Sequence, residues 1–150
     1  MRERKVFETL ENLRKKNGTP KSTLCEKAGW NIDTYREAKM EKTSLSLLAV
    51  SDFFNVYGYV PAILDENGNA LIGIPAILSY IKNHVEYLDV EKKNEIYRLC
   101  SSRDNAKYGK QNFRKYMAGE CSIRLRTLIP ILDILGAEFV IVYISDIIYR

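Results

Sequence analysis

With a single histidine and three cysteines, this chain of 150 residues has little with which to hold a metal ion. Cys25, Cys100 and Cys121 include no C-x-x-C pair, so none of the common zinc spacings can be assembled. The odd cysteine count argues against a disulfide framework and for a reducing compartment. Ser101-Ser102 has no histidine at hand to activate it, and His84, beside Val85 on an amphipathic stretch, reads as structural or merely exposed. Between Gly68 and Gly73 lies the one short glycine pattern, and it lacks the Lys-Ser or Lys-Thr of a phosphate-binding loop. No enzyme activity, cofactor or metal is expected.

Long apolar runs are missing too. The opening MRERKVFETL lacks the apolar stretch of a secretion signal. Ile129 to Ile148, the most apolar tract, is broken by Asp133, Glu138 and Asp146, which excludes a membrane span. A soluble cytoplasmic protein with no membrane partner is expected. At 46% hydrophobic residues the chain can bury a real core, as one domain or two very small ones sharing it.

Acidic residues are scarce where basic ones are dense. The net charge is only +4, but residues 92 to 126 hold ten Lys or Arg against three acids, whereas residues 61 to 91 hold one Lys against five acids. Charge gathered in this way is what a face for an anionic polymer requires.

Apolar periodicity marks a helix through Val6, Phe7, Leu10 and Leu13, ended by Asn17-Gly18. A short helix over 21–28 follows, then a tight turn at Gly29-Trp30-Asn31 and a second short helix over 32–40. A fourth helix, capped near Ser44 or Ser46, runs to about Asn55. The period then changes. Tyr59 to Leu64 and Ala70 to Ile74 flank a turn-rich Asp-Glu-Asn-Gly-Asn and predict a hairpin. Pro75 suits the first turn of a further helix.

The second half repeats the first. A shift of 78 places Ser122 on Ser44, Leu125 on Leu47, Leu128 on Val50, Phe113 on Tyr35 and the strand from Glu138 near the first hairpin strand. The match is strong from 109 to 144 and weak before it; Ser102 sits where Leu24 sits, which leaves the corresponding short helix of the second unit open. Pro130, acceptable only near a helix start, places that helix's first residue near Thr127. The expected fold is mainly α, with two tandem helix-turn-helix units over 1–75 and 76–150. A small sheet of 59–64, 70–74 and 138–144 would join them and bury them against each other.

Residues Ser22 to Asn31 with Thr34-Tyr35-Arg36 in the first unit resemble the lambda-repressor-like, or Cro-like, helix-turn-helix family. So do Gly109 to Tyr116 in the second, and Leu125 to Glu138 resembles that family's closing helix and strand. About two-thirds of the chain is covered. The resemblance implies a DNA-binding transcriptional regulator, a repressor of phage or mobile-element type, with double-stranded DNA as partner and a homodimer as one state. In such a motif the second short helix keeps one stripe packed and lays its N-terminal residues in the major groove, while helix N-termini offer N–H groups to phosphates.

The two candidate reading helices differ. Lys110, Gln111, Asn112, Arg114 and Lys115 lie outward at the start of the second unit's helix, where Gln and Asn suit adenine and Arg or Lys suits guanine or phosphate. Lys107, Arg124 and Arg126 are expected to neutralise phosphates. The first unit offers Arg36, but with Asp33 and Glu37, which repel phosphate. The rival expectation is a protein-binding module that keeps the fold and uses the first unit to inhibit or recruit a nucleic-acid enzyme. Tyr57, Tyr59, Tyr97, Tyr108 and Tyr116 are more readily explained by core and sheet packing than by base stacking.

Overall fold

Four helices of this chain start where a short polar side chain accepts the first free N–H groups. Asn31 accepts from the amide of Asp33, Ser46 from Ala49, Asp89 from Lys92, and Asn105 from Lys107 and Tyr108. Gly29 then ends a helix at φ 79°, so that the Trp30 amide reaches back to the Cys25 carbonyl and the chain can turn within three residues. The computed structural model describes residues 1–148. Along it run α1 (Glu3–Lys16), α2 (Lys21–Ala28), α3 (Ile32–Lys39), α4 (Leu47–Asn55), β1 (Tyr59–Leu64), β2 (Ala70–Ile72) and α5 (Ile74–Glu86). The second half continues with α6 (Val90–Leu99), α7 (Ala106–Met117), α8 (Leu125–Leu135), β3 (Glu138–Tyr143) and α9 (Ile144–Ile148). The protein is mainly α with minor β.

The expected three segments do form one antiparallel sheet, in the order β2-β1-β3. Its ends are shorter than the sequence pattern implied: Gly73 and Ile74 belong to the start of α5, and Ile144 opens α9. Pro61 lies in the central strand, where a missing N–H would ordinarily break a ladder. Its carbonyl accepts from Gly73, so its nitrogen faces the same side, at the point where β2 has already ended.

A local twofold relation links the halves. Ser46 bridges Arg124, and Ala62 pairs with Val140 in the β1–β3 ladder. Each pair joins a residue to the one 78 positions later, so both sit on one pseudo-symmetry axis. The serines of the repeat act reciprocally across it. Ser122 Oγ accepts from the Leu48 amide of α4, and Ser44 Oγ from the Arg126 amide of α8, both at 3.0 Å. The Leu47 amide donates to the Ile123 carbonyl, and that of Leu125 to Leu45. Around this seam one contiguous core runs from Val6 and Leu10 through Phe53, Ile63 and Ile77 to Leu128 and Phe139. Ser44→Ala and Ser122→Ala should therefore each lower stability by about 1 kcal/mol in urea unfolding. A loss with only one of the two substitutions would contradict the reciprocity.

The starts of α8 and α6 differ from expectation. Helix α8 begins at Leu125 rather than Thr127, leaving Pro130 inside it. Pro130 is half-buried and Arg126, whose carbonyl loses its partner, is exposed, so the missing bond lies on the outer side. Helix α6 supplies the packing helix of the second half earlier than the 78-residue shift places it, and residues 100–105 form a loop where that shift left a helix open.

Candidate nucleic-acid interface

Helix α7 is seated on α6 through Gly109. A Cβ built at Gly109 would lie 1.5 Å from the Tyr97 carbonyl oxygen, so only glycine permits this approach. One turn on, Phe113 packs edge-on to Tyr97 with ring centres 5.6 Å apart, and is 7% exposed. Asn112 Nδ2 donates to the Cys100 carbonyl at 2.9 Å, satisfying the end of α6. The inner face of α7 is thus fixed by a close backbone contact, an aromatic pair and a hydrogen bond.

Helical spacing then throws Lys107, Lys110, Gln111, Arg114 and Lys115 to the outside, and all five are exposed. The helix carries four cations and no acid along its twelve residues. Among the described residues no ion pair engages any of the four. Lys110 Nζ lies 5.9 Å from the centre of the Tyr97 ring, which biases its position without neutralising it. Asn105 holds the Lys107 and Tyr108 amides, and its carbonyl accepts from Gly109. The N-terminal donors of α7 are therefore largely engaged, contrary to the expectation that they face phosphate. The groups left free to meet an anion are the side chains of the stripe.

The other named residues lie elsewhere. Asn112 is below the exposed stripe, with its amide nitrogen engaged. Arg124 is at the seam, donating to the Ser44 carbonyl. Arg126 lines a groove of about 650 Å³ with Glu3, Glu8 and Glu11 of α1. Arg36 lies in the last turn of α3, in the other half, on a helix where Asp33 and Glu37 are also exposed.

The sequence reading missed the first turn of α7. By the 78-residue shift Lys110 corresponds to Ile32, the first residue of α3, yet α7 begins four residues earlier at Ala106. Asn105, a strong capping residue, is the signal that could have found it. The added turn carries Lys107 and Tyr108. Tyr57, Tyr59, Tyr97 and Tyr116 are packed against the core as expected, whereas Tyr108 is 52% exposed.

Elsewhere, Cys25, Cys100 and His84 are tied into the fold, and Cys121 is exposed. Burial pushes the Cys100 thiol up to about 12, and raises that of Cys25 as well. His84 stacks on Tyr80 at 3.8 Å, with Nδ1 2.9 Å from the Tyr80 carbonyl. Among the described residues no cluster of His, Cys, Asp and Glu could hold a metal ion, and no helix is long and apolar enough to cross a membrane. The chain matches no family model, no curated protein and no solved structure.

Proposed function

We propose that the chain is a sequence-specific DNA-binding transcriptional regulator, a repressor acting in the cytoplasm, that lays α7 in the major groove of double-stranded DNA. The observation that carries this reading is the exposed, acid-free stripe of Lys107, Lys110, Gln111, Arg114 and Lys115 on a helix whose other face is rigidly held. Four cations supply a salt-dependent attraction to phosphate. Gln111 and Arg114, one helical turn apart, present the two side-chain types that pair bidentately with adenine and guanine. A rigid seat makes such pairing selective, because misplaced donors lose it. Phosphate and base contacts both come from α7, and Arg124 and Arg126 stand apart at the seam.

Duplexes selected from a random pool and assayed by gel shift at two salt concentrations test the reading. Arg114→Ala and Gln111→Ala should each weaken the selected duplex by roughly 1–3 kcal/mol and relax its base preference. Lys107→Ala should weaken all duplexes alike and lower the salt slope by about one unit. Equal small losses for every variant on every duplex would show that α7 is not the reader.

A second reading, a protein-binding module, is favoured by α3. Its exposed Asp33 and Glu37 balance Arg36 and Lys39, so this helix has no net attraction for phosphate. Asp33→Lys with Glu37→Lys would raise non-specific DNA affinity if α3 faces the duplex, and would leave it unchanged if α3 serves a protein.

A further inference from the structure

Resting on the DNA-binding reading, we infer that Tyr108 is a specificity-determining residue, reading the C5-methyl group of thymine from the first turn of α7. That turn has no counterpart in α3, and it lies at the end of the helix that leads into a major groove. Tyr108 stands on the same flank as Gln111 and Lys115, three and seven residues on, and both of these are exposed. It is 52% exposed; Tyr87 and Tyr143 are exposed too, but lie outside α7, whereas Tyr116, the other tyrosine of α7, is packed against the core. Its backbone amide is held by Asn105, so the base of the side chain is fixed although the ring is not.

The chemistry of the groove selects the target. Bases in a duplex are already stacked, so a ring arriving from the major groove meets only their edges. Those edges carry hydrogen-bonding groups and one apolar group, the thymine methyl. A tyrosine ring has two side-chain torsions to fix, so it can bury that methyl at small entropic cost, with its hydroxyl left toward water or phosphate. Gln111 and Arg114 would then read adenine or guanine beside a thymine chosen by Tyr108.

The test uses the full chain and the duplex that the wild type selects from a random pool. Each thymine is replaced in turn by deoxyuridine, which removes the methyl and nothing else. At one or two positions the wild type should lose about three- to five-fold in affinity, the effect of one buried methyl. Tyr108→Phe should show the same loss at the same positions. Tyr108→Ala should bind the thymine and deoxyuridine duplexes equally. If Tyr108→Ala keeps the wild-type sensitivity, or the wild type is insensitive at every thymine, this inference is overturned while the α7 reading stands on its own variants. If the wild type selects no duplex, even at low salt, the DNA reading and the inference fall together.

Discussion

Gly109→Ala is expected to unseat α7 and to lower stability by more than about 3 kcal/mol, above the usual 1–3 kcal/mol range of overpacked cores. The added methyl would fall 1.5 Å from the Tyr97 carbonyl oxygen. Cβ and the carbonyl are both fixed to helical backbone, so no rotamer change relieves the overlap. The two helices must separate, which opens the Tyr97–Phe113 contact and the bond from Asn112 to the Cys100 carbonyl. The same separation displaces the stripe on which the proposed DNA binding rests, so under that proposal DNA affinity should fall at temperatures where the chain is still folded. Lys110→Ala, one residue on and exposed, should stay within about 0.5 kcal/mol of wild type. Urea unfolding of the two variants checks this, and a Gly109→Ala protein as stable as the Lys110→Ala protein would refute the close seat.

Glu11→Ala should cost about 3 kcal/mol, the second large effect. Glu11 is 8% exposed and receives Arg14 Nε at 2.9 Å, with Lys39 of α3 at 3.8 Å and Lys15 at 3.9 Å. Removing it leaves the nearly buried Arg14 with one remaining partner, the Thr19 carbonyl, and unties α1 from the end of α3. Burial by itself would raise the Glu11 carboxyl, but the hydrogen bond and charge of Arg14, helped by Lys39 and Lys15, outweigh it and hold the group below its ordinary value of 4.5. The depressed value fixes the sign. The stabilisation is fully present above the ordinary value and is lost as pH falls through the lower folded one. Wild type should therefore exceed the nearly isosteric Glu11→Gln in stability at pH 7, with the gap closing as pH falls below 4.5 and through the lower folded value. A gap independent of pH would show that the ion pairs contribute nothing.

Most of the architecture was legible because local chemistry dictates it. The helix over 21–28, its glycine stop at Gly29 and the hairpin from Tyr59 depend on apolar spacing and turn residues close together in sequence, and they appear at or within two residues of the expected positions. The basic stripe was legible for the same reason: Lys110, Gln111, Arg114 and Lys115 recur at helical spacing, whatever α7 packs against. Asn112 shows the limit. Its position reads like that of Gln111, but the carbonyl that claims its amide belongs to another helix.

What the sequence determined by itself was the class of fold, the repeat at 78 residues and the concentration of positive charge in the second half. Only tertiary structure decided where α8 begins, because its cap is Ser44, 82 residues before the amide it accepts, and Arg124 at the cap position gives no local signal. The same holds for the seat of α7, since the need for glycine at 109 comes from the carbonyl of Tyr97 and not from a turn. Hydrophobic spacing and capping residues act over one or two turns of chain. Close helix approach and caps exchanged across a pseudo-twofold axis depend on groups brought together only when the two halves pack.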